Sequence, residues 1–99
     1  MKIFLDDVRN PPIMGDYVIC RNSADAIRLI LTGNVRFISF DHDLGGDDTG
    51  YIVACKIEEL AYNGMIPPID YVIHSANPVG RDNIRRAMES ARRFWEIAP

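Results

Sequence analysis

Both histidines of this 99-residue chain, and two pairs of its aspartates, sit where short apolar runs end. Asp6 and Asp7, with Arg9 just beyond, follow "KIFL"; Asp41, His42 and Asp43 follow "VRFISF". His74, Ser75 and Asn77 follow "DYVI", and Arg81 lies a few residues on. Carboxylates suit hard divalent cations such as Mg²⁺ or Mn²⁺. Asp6 or Asp7 with Asp41 could hold such an ion, which would bind a phosphate oxygen and activate water. Imidazoles suit proton transfer near neutral pH, and His42 and His74 could flank one phosphate as general acid and base. Arg9, Ser75, Asn77 and Arg81 would then hold phosphate oxygens, helped by the N-terminus of the last helix. The two chemistries are compatible, and the residues alone do not rank them.

The densest of these stretches is "FDHDLGGDDTGY", Phe40 to Tyr51. Its start resembles a calcium loop, with Gly46 at the sixth place counted from Asp41. The fifth place, however, is Gly45, and the twelfth is Ile52 where a bidentate Glu is needed. Its flanks read as strand and helix rather than two helices. A calcium loop is therefore rejected. Asp47 reads as a solvated turn residue, Asp48 as a side chain able to point back to the site, and Thr49 as a helix cap.

These clusters need elements to position them. Lys2–Leu5 and Tyr17–Cys20 read as short buried strands, separated by the loop "NPPIMGD", whose two prolines and glycine suit neither helix nor central strand. A helix follows Asn22 or Ser23 and stops at Gly33. Val35–Phe40 is the third strand, and a helix capped by Thr49 runs to about Asn63. The fourth strand spans about Asp70 to His74. The last helix spans about Arg81 to Ile97, with Ile84, Met88, Ala91 and Trp95 on its core face. Arg85, Arg86, Arg92 and Arg93 read as its solvated side. Strands alternating with helices imply a parallel sheet with right-handed crossovers. All three polar clusters then lie at the C-terminal ends of strands, where open parallel sheets form ligand crevices.

Length and composition fit one domain over residues 1–99, with 47% hydrophobic residues to build its core. A net charge of −3 disfavours non-specific DNA binding but allows a small phosphate ligand in a local pocket. Cys20 and Cys55 fit no metal spacing and read as reduced core thiols of a cytoplasmic protein. No apolar run approaches the ~18 residues of a membrane span, and no organic cofactor is implied. With no helix between the first two strands, part of one sheet face should lack cover, which suggests a homodimer.

The acidic pair after strand one, Asp41 after strand three and Ser75 after strand four resemble the receiver domains of two-component signalling. The receiver's lysine after a fifth strand is absent, since the only lysines are Lys2 and Lys56. A closer resemblance covers nearly the whole chain: "IFLDDVRNPP", "SFDHDLG", "TGY" and "HSANPVGRDNI" resemble the cyclic-phosphate-processing receiver-like domains of bacteria and phages. That resemblance implies a small flavodoxin/receiver-like three-layer α/β fold, with a four-stranded parallel sheet in the order 2-1-3-4 and about three helices. It implies a phosphodiesterase acting on cyclic phosphates of nucleotides or RNA ends. It also implies an active set of Asp6, Asp7, Arg9, Asp41, His42, Asp43, His74, Ser75, Asn77 and Arg81. The alternatives are a module that binds such a ligand without cleaving it, and a degenerate receiver phosphorylated on Asp41.

Overall fold

The computed structural model describes residues 1–13 and 15–97. Met14, within the expected loop "NPPIMGD", lies outside the described residues. Four strands, β1 (Lys2–Leu5), β2 (Tyr17–Cys20), β3 (Phe37–Phe40) and β4 (Asp70–Ile73), form one sheet in the order β2-β1-β3-β4. Every pairing is parallel, with Leu5 opposite both Cys20 and Phe40, and Phe40 opposite Ile73. The helices are α1 (Ser23–Ile30), α2 (Gly50–Tyr62) and α3 (Pro78–Ile97). This is the receiver-like sheet order and helix count that the sequence implies. Among the described residues, no helix is long and apolar enough to cross a membrane.

The steps across the sheet decide where the helices lie. The connections β2 to β3 and β3 to β4 move in the same direction, so right-handed crossovers place α1 and α2 on the same face. The α3 helix packs against α2 and shares that core. Alternation along each strand sends Ile3, Leu5, Cys20, Ile38 and Phe40 into it, all essentially buried. They meet Ala26 and Ile30 of α1, Val53 and Ile57 of α2, and Ile84, Met88 and Ala91 of α3.

The connection from β1 to β2 steps the other way, and only a helix there would cover the opposite face. Residues 6–16, with Pro11 and Pro12, form none among the described positions. The third layer implied by the family resemblance is therefore not built from a helix. The opposite face presents Phe4, Tyr17, Phe37, Ser39 and Val72, and Val72 is 48% exposed.

Local capping fixes the helix starts. Asn22 Oδ1 accepts the Asp25 amide at 2.8 Å, and Thr49 Oγ1 accepts the Ile52 amide at 3.4 Å. The last helix begins at Pro78, three residues before the Arg81 expected from its apolar stripe. Asn77 Oδ1 accepts the Gly80 amide at 3.0 Å, and proline suits the first helical position. Gly50 opens α2 directly against β3. A Cβ there would lie 1.9 Å from the Asp41 carbonyl oxygen, which the backbone cannot readily yield. Replacing Gly50 by Ala should therefore cost about 1–3 kcal/mol or more. Gly15→Ala, with no atom within 4 Å of its Cβ, should stay within about 0.5 kcal/mol of wild type. Urea midpoints of the two variants check this, and equal midpoints would contradict it.

Candidate functional site

The alternation that builds the core also sorts the polar residues at the strand ends. Asp6, Asp41 and His74 continue the helix-free face after Phe4, Ser39 and Val72. Their ligand atoms lie within 4.8 Å of one another, close enough to share one cation. Asp7, His42 and Ser75 come one residue later and turn toward the helix side. The His42 ring packs on α3 so closely that a Cβ on Gly80 would meet it at 2.3 Å, and its Nδ1 pairs with Asp43 Oδ1 at 3.0 Å. A Cβ on Gly45 would lie 3.7 Å from Asp7 Oδ2, so Asp7 faces the glycine turn. The structure thus groups His74 with Asp6 and Asp41, and sets His42 against α3 and Asp7 against the glycine turn.

Asp6 is fully buried and fully engaged. Its Oδ1 accepts the amides of Val8 (3.0 Å) and Arg9 (2.7 Å), which folds the chain back over the strand end. Its Oδ2 accepts Arg9 Nε at 3.1 Å and His74 Nε2 at 3.0 Å. Burial alone would push its carboxyl up, but the Arg9 and Val8 amides, His74 and the Arg9 charge outweigh that and hold it below the usual carboxylate range. A carboxylate held ionised only accepts, so the proton in the Asp6–His74 bond belongs to Nε2. His74 Nδ1 then faces Ser39 Oγ at 2.8 Å, and its ring stacks on Phe4 with centroids 4.5 Å apart.

Asp41 moves the other way. Burial pushes its carboxyl above the usual range, and the Asp6 charge adds to that, while the His42 amide, His74 and Arg9 only partly offset it. Its Oδ1 accepts the His42 amide at 2.8 Å, and the nearest Arg9 nitrogen is 3.9 Å from Oδ2. Two neighbouring carboxyls are thus driven apart, one toward staying ionised and one toward holding a proton.

The remaining expected residues serve the frame. Ser75 Oγ accepts the Asn77 amide, and the Asn77 side-chain oxygen is the α3 cap. Arg81 Nη1 donates to the carbonyls of Ile73 and Ser75, both at 2.8 Å, and so closes the free outer edge of β4. Asp48 does not point to the site: its carboxylate accepts the amides of Ser23 at α1 and of Thr49. Arg85 and Arg86 pair with Asp82, and Arg92 lies near Glu89, along the solvated side of α3.

Two residues escaped the sequence reading. Arg21 Nη1 donates to the carbonyls of Asp6 and Arg9, and Nη2 donates to Asn10 Oδ1, clamping the first loop. Its signal was its place immediately after β2. Ser39 sits two residues before Asp41, so period-two counting puts it on the same face. Phe4, Tyr17 and Ser39 from the sheet, His74 just past β4, and Arg9, Asn10 and Pro12 from the loop line a pocket of about 290 Å³ on the helix-free face. A slightly larger hollow of about 330 Å³ lies by Ile73, Arg81 and Arg85, and none of Asp6, Asp41 or His74 lines it.

A family model described as the cyclic-phosphate processing receiver domain matches residues 1–90. No curated protein and no solved structure matches the chain.

The opposed carboxyls predict opposite stability effects. Asp6, with its folded pKa lowered, contributes stability that is present above the ordinary carboxylate pKa and is lost as pH falls through the lower folded value. Asp6→Asn should therefore cost about 3 kcal/mol near pH 7, by breaking a buried network, and the deficit should shrink in acid. Asp41, with its folded pKa raised, binds its proton more tightly when folded, so its ionised form weighs against folding above that value. Asp41→Asn should thus match or exceed wild-type stability at pH 7. Urea unfolding from pH 7 down to pH 3 reads both, and a destabilised Asp41→Asn would contradict the assignment.

Proposed function

We propose that this chain, which belongs to the cyclic-phosphate processing receiver family, hydrolyses a cyclic phosphodiester of a nucleotide or an RNA end on the helix-free face of its sheet. The observation that carries this reading is the line Arg9–Asp6–His74 at the rim of the 290 Å³ pocket, with Asp41 beside it. A cyclic phosphodiester bears one negative charge and no proton to give. Its cleavage needs a cation for the phosphoryl oxygens, a base for the attacking oxygen and an acid for the departing one. Arg9, largely exposed and tethered through its Nε, supplies the cation. His74 Nδ1, with Nε2 committed to Asp6, is the basic nitrogen. Asp41, its carboxyl raised, is the group suited to protonate the leaving oxygen.

A divalent cation is an alternative occupant of the same place. Asp6, Asp41 and His74 offer two oxygens and a nitrogen at ligand spacing, and carboxylates suit Mg²⁺ or Mn²⁺. An ion there would polarise a phosphoryl oxygen. To enter, it must displace Arg9 from Asp6 and separate Asp6 Oδ2 from His74 Nε2. Arg9 is the cation that neutralises Asp6 in the arrangement seen.

Incubation with 2′,3′-cyclic mononucleotides, cyclic RNA ends and cyclic dinucleotides, with and without Mg²⁺ or Mn²⁺, should yield the ring-opened monoester for one class. His74→Ala should lower turnover by about 10²–10⁴. His42→Ala should keep most of it. Intact ligand recovered under every metal condition would leave a binding module at most, and loss of activity only in His42→Ala would place the chemistry on the other side of the sheet.

A further inference from the structure

Ser39 is a mid-strand serine between Phe4 and Val72 of the neighbouring strands, and it stands at the head of a continuous hydrogen-bonded line. Its Oγ lies 2.8 Å from His74 Nδ1, and His74 Nε2 lies 3.0 Å from Asp6 Oδ2. The line is held from three sides. Phe4 lies flat against the imidazole, with 4° between the rings, and sets its plane. Asp6 is pinned by the Val8 and Arg9 amides. The Arg9 side chain closes the far end through Asp6 Oδ2. A hydroxyl in hydrogen-bond reach of a base, the base itself oriented by a third group, is the arrangement of an activated nucleophile. It is recognised by geometry and roles, and here the two ring nitrogens exchange the positions usual in serine hydrolases. Ser39 is only 4% exposed, yet it and His74 both line the pocket whose rim carries Arg9.

We propose that Ser39 is the nucleophile of this site, attacking a phosphoryl centre seated in the pocket on the helix-free face. The proposal rests on the cyclic-phosphodiester reading for its substrate, though not for the relay itself. The Ser39 Oγ–P bond forms as one ring P–O bond breaks. The serine proton passes to His74 Nδ1, while Asp41 gives its proton to the departing ester oxygen and regains one from the water of the second step. Water then splits the Oγ–P bond, restoring the serine and releasing a phosphomonoester; nothing is oxidised or reduced. Asp6 is a positioning residue that keeps Nδ1 turned toward Ser39.

Diisopropyl fluorophosphate tests the relay independently of any cyclic substrate, because a serine displaces its fluoride by the same P–O bond formation. Intact mass and peptide mapping should show one adduct, on Ser39, with Ser23, Ser75 and Ser90 unlabelled. Ser39→Ala should abolish the adduct, and His74→Gln should slow it sharply while circular dichroism stays unchanged. If the alanine variant unfolds, Ser39→Cys keeps the shape. Its new thiol should then react with iodoacetamide faster than Cys20 or Cys55. Acid quenching during turnover of a cleaved cyclic nucleotide should leave the whole nucleotide, joined through its phosphorus, on the Ser39 peptide. Labelling of Ser39 in a protein that cleaves no cyclic phosphate would uphold the relay and remove the cyclic-phosphate reading. No labelling of Ser39 beyond that of the denatured chain, or Ser39→Ala with wild-type turnover, would overturn the proposal.

Discussion

A carboxylate with no exposure has to be surrounded by donors, and satisfying Asp6 organises this protein. Isolated burial of such a charge would cost several kcal/mol, so every lone pair must find a partner. Two partners are the amides of Val8 and Arg9, which forces the chain after β1 to fold back at once. The third is the Arg9 side chain, which brings a guanidinium between Asp6 and Asp41. The fourth is His74, 68 residues away, whose ring must lie over Phe4 to reach it. Once Nε2 is taken, Nδ1 can face only the sheet, where Ser39 waits. Arg21 then holds the loop from outside. One buried charge thus fixes a loop, a cation, an imidazole and a hydroxyl.

The same site depends on what the fold leaves out. A helix between β1 and β2 would lie against Phe4, Tyr17 and Ser39 and fill the pocket they line. The proline-containing segment 6–16 has no such helix among its described residues, so the sheet face stays accessible and Arg9, Asn10 and Pro12 form a wall instead. The helix side carries the opposite logic. There Gly50 and Gly80 admit backbone and ring contacts that a side chain would block, and Asn77, Ser75 and Arg81 bind the start of α3 to the end of β4.

Much of this was legible in the residues. Apolar runs of four to six residues ending in Asp-Asp, Asp-His-Asp and His-Ser marked the strands and the edge where chemistry collects. The helix stripes and caps marked α1 and α2 closely. The finer partition was also encoded: adjacent residues at a strand end start toward opposite sides, which separates Asp6 from Asp7 and Asp41 from His42 in the observed contacts. Ser39 follows from the same counting. Other roles depend on tertiary context. Arg81 and Asn77 look like phosphate ligands in sequence, yet an open sheet edge and an uncapped helix need them first. Asp48 is drawn to the amide of Ser23, a partner 25 residues away that local pattern does not reveal. The apolar stripe of α3 begins only at Ile84, so the pattern does not reach its first turn, where Pro78 is well suited.

The central claim is that the phosphate ligand lies on the helix-free face, against the group organised by Asp6. Titrating ¹⁵N-labelled protein with the cyclic nucleotide it cleaves fastest, or binds most tightly, reads this residue by residue. The account predicts that the largest amide shifts fall on Phe4, Arg9, Tyr17, Ser39 and His74. Shifts centred instead on His42, Asp43 and Asn77 to Arg81, with Phe4 and Ser39 unmoved, would contradict it.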